Sequence, residues 1–155
     1  MDAMQRFIEA AELAGFSVEA EKFPDGTRTA KDAAAAVGCE LAQIVKSLVF
    51  VHGESPYLVL ASGKNRVDES LVAKVMGVES LSIATPDQVR NATGFAIGGT
   101  PPFGHLTSIP TTLDSDLFLY ETVWAAAGTP DSCFPISPQD LEKITAAVVA
   151  DVAAA

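Results

Sequence analysis

Apolar residues recur along this chain at two spacings, one near 3.6 residues and one near two, and the changes between them mark out its elements. Met4, Phe7, Ile8, Ala11 and Leu13 fall at roughly helical spacing between Asp2 and Ala14, and Gly15 suits the position just past a helix end. "FSVEAEKF" alternates and predicts a strand, and "PDGTR" after it predicts a turn. Thr29 is placed to cap a short alanine-rich helix, "AKDAAAAV", which Gly38 ends. "CELAQ" predicts one more helical turn.

The next run, "QIVKSLVFV" from Gln43 to Val51, reads as a buried strand with a lysine in its first half. Alternation puts Ile44, Lys46, Leu48 and Phe50 on one face and Val45, Ser47, Val49 and Val51 on the other. Neither face is polar. Isolated burial of an ammonium is costly, so such a lysine lies near a strand end, snorkels along an edge, or serves a site. In the last case it is a cation at a pocket mouth, holding a phosphate or a polarised carbonyl.

"HGESP" turns the chain and "YLVLASG" returns as the second arm of a hairpin. Asp68 opens a helix through Met76, stopped by Gly77, and "ESLSIA" predicts a short strand. Thr85 and Pro86 form an N-cap and first-turn pair for the helix "PDQVRNAT", with Gly94 behind it. "GFAIGGTPPFGHLT" predicts a brief strand and then a Gly/Pro loop. "SIPTTLDSDLF" and "LYETVWAAAG" supply strands, "TPDS" a turn, and "CFPIS" another strand. Ser137 and Pro138 open a final amphipathic helix to about Val152, after which the alanines are expected to fray. There is no internal repeat and no linker. Strands and helices mix without a regular βαβ rhythm. The expected fold is α+β (mixed α/β): a single domain, 1–155, with a curved, barrel-like mixed sheet wrapped by helices.

Composition narrows the class. Hydrophobic residues make up 48% and charged residues 19%, which suits a globular chain of 155 residues with one core. No apolar stretch approaches the ~18 residues of a membrane span, and the acidic start "MDAMQRFIEAAEL" is unlike a signal peptide. Cys39 and Cys133, without CxxC spacing, read as free thiols, and the cytoplasm is the expected compartment. The net charge of −10 argues against a broad grip on a nucleic-acid backbone but leaves room for a local basic patch.

Candidate chemistry concentrates in Gly98-Gly99-Thr100-Pro101-Pro102-Phe103-Gly104-His105. The prolines stiffen the loop, and the paired glycines let backbone approach a ligand. The amides of Gly98, Gly99 and Thr100 are expected to be free to converge as an anion nest or oxyanion hole. A tight structural turn accounts for the same residues. His105 is a candidate acid/base group, or a side chain bonded to the loop backbone. Two histidines are too few for a three-histidine metal site. GxSxG, GxxxxGK[ST] and GxGxxG are all absent from the sequence. Asp68, Asp114 and Asp116 read as cap and turn residues before metal ligands. No cofactor or metal is expected.

Four segments, "VGCELAQIVKSLVF", "GKNRVD", "GFAIGGTPPFGH" and "AAGTPDSCFPISPQDLEKIT", together resemble the YbaK/prolyl-tRNA synthetase-associated editing domain family, in order from about Ala14 to Thr145. The resemblance implies a mixed α/β fold with a barrel-like sheet, and hydrolysis of the ester joining a wrong amino acid to the 3′ end of a tRNA. Lys46 matches the family lysine that contacts the terminal nucleotide, and Ser47 the small hydroxyl residue beside it. Gly98 through Pro102 matches the G-x-x-x-P loop that positions the aminoacyl carbonyl. The implied partners are an aminoacyl-tRNA 3′ end and a synthetase. The family is thought to use substrate hydroxyls and a bound water, so no side-chain nucleophile is required. Phe23, Thr27, Thr29 and Val45 are candidate pocket neighbours, with ordinary turn and core packing as the other account of them. "AAAGTPDSC" lacks the basic pair of the "GRRG" form found in cysteine-specific relatives. A binding module of the same fold without turnover, and a small-ester hydrolase using the same loop, are the competing expectations.

Overall fold

The computed structural model describes residues 2–155. The helices are α1 (Ala3–Leu13), α2 (Ala30–Val37), α3 (Glu69–Met76), α4 (Pro86–Thr93) and α5 (Pro138–Thr145). The strands are β1 (Glu21–Lys22), β2 (Ile44–His52), β3 (Ser55–Ser62), β4 (Ser82–Ile83), β5 (Thr111–Asp114), β6 (Val123–Ala126), β7 (Ser132–Ile136) and β8 (Val148–Ala150). Local chemistry sets the helix starts. Asp2, Thr29, Asp68, Thr85 and Ser137 each accept a backbone N–H of the first turn, satisfying donors that the helix itself cannot.

The strands form one mixed sheet in the order β1-β7-β6-β2-β3-β5-β8, with β4 added beside β2. β2 and β3 are an antiparallel hairpin from Val45↔Ser62 to His52↔Ser55. β2 also runs parallel to β6, and β3 parallel to β5. Fold class is thus mixed α/β, with helices on both faces.

One face carries the main core. Val45, Val49, Leu58, Leu60, Leu113 and Phe134 from the sheet meet Phe7 of α1, Val89 of α4 and Leu141 of α5. Phe7, Phe103 and Phe134 form an aromatic group with centroids 5.0–6.0 Å apart. Burial of one such ring stabilises by roughly 1.5–3 kcal/mol. Phe103 comes from the Gly/Pro loop, so this packing anchors the loop's far end. The opposite face carries two smaller clusters. Phe50, Val59 and Ala61 lie under α3, and Ile44 and Cys133 lie under α2. Lys46 emerges on this second face between Ile44 and Leu48, in a cavity that Ala30 and Ala33 of α2 also line.

Four expectations change. The alternation of Phe16–Phe23 does place Phe16, Val18 and Ala20 against the core, yet only Glu21–Lys22 finds a partner strand. No strand forms at Phe95–Ile97, because Gly99 N–H turns back onto the Ala96 carbonyl. The last helix stops at Thr145, with Ala146 at φ +52°, and Val148–Ala150 instead extends the sheet beside β5. The tail does not fray: Val152 is fully buried, Ala153 bridges to Val67, and Ala154 N–H donates to the Arg66 carbonyl at 2.7 Å. β-Branched valines gain more from this sheet edge than from a helix surface. No helix among the described residues is long and apolar enough to cross a membrane.

Candidate active site

β2 creates the site by losing a neighbour. Along one edge it pairs with β3 throughout. Along the other it meets β6 only at Ile44–Val45 and β4 only at Phe50–Val51. The Ile44 carbonyl accepts from Gly63 on the β3 side, whereas the Val49 carbonyl accepts from Ala84 on the other. Strand alternation therefore turns the backbone groups of Ser47 the same way as those of Val49, into the split between β6 and β4. A cavity of about 530 Å³ opens at this place, lined by Lys46, Ser47, Gly98, Thr100, Thr27 and Thr29 among others. Val45 lines it too. The Ser47 hydroxyl oxygen is buried and has no hydrogen-bond partner among the described residues.

Lys46 is held from behind. Its ammonium donates to the Asn65 carbonyl in the loop after β3. The Asn65 side-chain amide donates to Asp114 at 2.9 Å and to Asp116 at 2.8 Å. Asp114 is fully buried and also accepts from Ser62 N–H at 3.0 Å and Asp116 N–H at 3.0 Å. Burial pushes the Lys46 pKa below the ordinary lysine value, and the Asp114 carboxylate opposes that by favouring the ammonium. Asp114 and Asp116 thus orient the lysine's loop, and Asp68 caps α3. Among the described residues no group of three His, Cys, Asp or Glu side chains is placed to hold a metal ion.

Opposite stands the glycine loop. Gly98 sits at φ +86°, and a Cβ there would lie 3.0 Å from Arg28 Cγ. A Cβ on Gly99 would lie 2.8 Å from the Thr129 carbonyl carbon and 3.0 Å from Pro130 N. The loop is therefore pinched between Arg28 and the backbone of Thr129–Pro130, and glycine is required for room as well as for angle. Gly99 N–H is already bonded to Ala96, so the expected three-amide nest loses its middle member. The amides of Gly98 and Thr100 make no backbone hydrogen bond among the described residues.

Four of the residues expected at the site do not line this cavity. Gly99 packs against Thr129–Pro130 behind it. Phe23 joins the cluster under α2 with Ala33 and Cys133. Pro102 and His105 border a separate depression with Thr107 and Ile144. His105 Nε2 bonds the Pro101 carbonyl at 2.7 Å, and burial pushes its pKa down. Its place is in bracing the loop. Thr27 and Thr29 line the cavity while also serving structure: Thr27 Oγ1 donates to the Pro130 carbonyl, and Thr29 caps α2. Cys133 reaches the lining, but burial raises its pKa, which keeps the thiol protonated and weakly nucleophilic.

The match to known proteins is broad. The aminoacyl-tRNA editing domain family matches residues 24–144. The chain belongs to that family. The uncharacterized protein YwhH of Bacillus subtilis (strain 168) is 30% identical over 125 residues, covering 80% of this chain and 79% of its own. The proline–tRNA ligase of Nitratidesulfovibrio vulgaris (strain DP4) is 31% identical over 104 residues, which span 63% of this chain and 18% of the ligase. A crystal structure of a proposed trans-editing enzyme for prolyl tRNA synthetase shares 48% identity, with a TM-score of 0.94 over 100% of this chain and 99% of that one.

Sequence reasoning passed over several residues that line this editing domain's cavity, chief among them Arg28, Ile97 and Trp124. Two signals were present. Arg28 lies between the two threonines singled out for the pocket, and Trp124 is the one tryptophan of the chain.

Proposed function

We propose that this editing domain acts in trans as an aminoacyl-tRNA deacylase, hydrolysing the ester that joins a wrongly attached amino acid to the 3′-terminal ribose. One observation carries this reading: Lys46, Ser47, Gly98 and Thr100, drawn from two distant stretches of the chain, border one cavity. Attack of water on the ester carbon places negative charge on the carbonyl oxygen. The amides of Gly98 and Thr100 are donors held rigidly by the pinched loop, and each such donor lowers the barrier by roughly 3–4 kcal/mol where measured. The Lys46 ammonium adds a fixed positive charge whose position the Asn65–Asp114 contacts define. The C–O bond to the ribose then breaks. The ribose oxygen leaves as a hydroxyl, with the water's proton passed to it by the neighbouring ribose hydroxyl. The protein supplies orientation and charge rather than a nucleophile, in keeping with a protonated Cys133 and a His105 placed elsewhere.

The test is release of amino acid from tRNAs mischarged with alanine, serine, threonine and cysteine. The expected result is hydrolysis of at least one of them. Binding of the charged ends without release from any would leave a recognition module in its place. Release from simple aminoacyl esters at the same rate as from tRNA would make it a general small-ester hydrolase.

A further inference from the structure

The cavity has a second cation that faces it under quite different constraints. Arg28 lines the cavity, is solvent-exposed, and lies with its Cγ against Gly98. Arg6 shows the contrast: its guanidinium donates to the Gly94 carbonyl and lies 4.8 Å from the centroid of Phe95. Arg28 makes no such bond among the described residues. Lys46, meanwhile, is committed to the Asn65 carbonyl. Arg28 is therefore the cavity-lining cation whose donors are all uncommitted among the described residues.

Its surroundings reinforce this. Gly63 packs so tightly that a Cβ on it would lie 3.2 Å from Ala30 Cβ. That contact fixes the end of β3 against the start of α2, beside the cavity. In a chain of net charge −10, two cations, Lys46 and Arg28, line this one cavity. On Arg28's other side lies a depression with Asp25, Asp32 and Asp131, whose negative charges repel anions from that direction. Trp124 and Ile97 give the cavity an apolar part suited to a nucleobase, since a base stacks on any flat apolar side chain.

We infer that Arg28 forms a phosphate subsite at the cavity mouth, taking the 5′-phosphate of a terminal nucleotide whose base rests near Trp124. A guanidinium suits this because it presents paired donors to two phosphate oxygens. This subsite rests on the deacylase reading for its source of phosphate, and a free nucleotide offers the same group.

The experiment titrates the fluorescence of Trp124, the sole tryptophan, with adenosine, with adenosine 5′-monophosphate and with a trinucleotide ending in adenosine. The wild-type protein should bind the monophosphate about tenfold more tightly than adenosine, equivalent to ~1.4 kcal/mol. Arg28→Ala should erase that preference while leaving adenosine affinity in place, and Arg28→Lys should retain part of it. Further tightening with the trinucleotide supports a nucleic-acid 3′ end as the source; equal affinity for the monophosphate supports a free nucleotide at the same subsite. Equal binding of adenosine and its monophosphate by the wild type, no measurable binding of either, or a preference that survives in Arg28→Ala, overturns the assignment. Deacylation without phosphate preference rejects the subsite alone. Phosphate preference without deacylation rejects the proposed reaction alone.

Discussion

Lys46 and Arg28 border one cavity, and they are held in opposite ways. Lys46 stands on a central strand, half-buried, its ammonium fixed by a carbonyl that Asp114 and Asp116 hold in place. Arg28 stands exposed in the segment leading into α2, packed along its stem and free at its tip. A charge fixed before the ligand arrives loses little freedom at the moment of reaction and suits transition-state stabilisation. A charge whose tip has no partner can turn to an arriving anion but must lose freedom to hold it, which suits capture. The contrast separates chemistry at the inner wall from binding at the rim.

The sharpest way to break that separation is Lys46→Ala. Deacylation should fall at least a hundredfold, with an unchanged far-ultraviolet circular dichroism spectrum because the residue is only half-buried. Full activity would remove Lys46 from the inner wall. Gly99→Ala should come next. Its Cβ would meet backbone atoms, which cannot swing aside as a side chain can, so a loss of roughly 1–3 kcal/mol in urea denaturation is expected. Unchanged stability would mean that the loop is not pinched.

Asn65→Ala tests whether the lysine's fixation matters. The carbonyl that holds Lys46 remains, but the side-chain bonds to Asp114 and Asp116 are lost. Deacylation should fall about tenfold in kcat with little change in KM, corresponding to ~1–2 kcal/mol for lost bonds to charged groups. An increase in KM alone would move Lys46 from chemistry to binding.

The smallest effect concerns His105. Its folded pKa is lowered by burial, so the unfolded chain binds more protons in the window below the ordinary histidine value of about 6.5. The stability it contributes is present above that value and declines as pH falls toward the lowered folded value. His105→Gln should flatten this part of the stability–pH curve while leaving the cavity's lining unaltered. The same slope in wild type and variant would assign the titration to another group.

Much of this division was legible in the sequence. Caps and glycines marked α2, α3 and α4 because those signals act within one turn of chain. Strict alternation through Gln43–Val51 assigned each side chain of β2 to its face, Lys46 included. What sequence could not supply was pairing between distant segments. Phe16–Phe23 alternates but mostly lacks a partner strand, and Val148–Ala150 carries a helical pattern yet pairs with β5. The same limit applied at the cavity. The loop Gly98–Thr100 and Lys46 stood out by composition, whereas Arg28 gained meaning only when Gly98 was found packed against it. The commitment of Gly99 N–H to Ala96 was equally invisible, because a Gly-Gly pair permits both a nest and a closed turn.

The most direct measurement is a crystal structure of the protein bound to a 3′-aminoacyl-adenosine analogue with an amide in place of the ester. The account predicts the acyl group inside the cavity beneath α2, its carbonyl oxygen about 3 Å from the Gly98 or Thr100 amide and the ribose near Lys46. An acyl group seated in the depression beside His105, or a carbonyl turned away from the glycine loop, would contradict it.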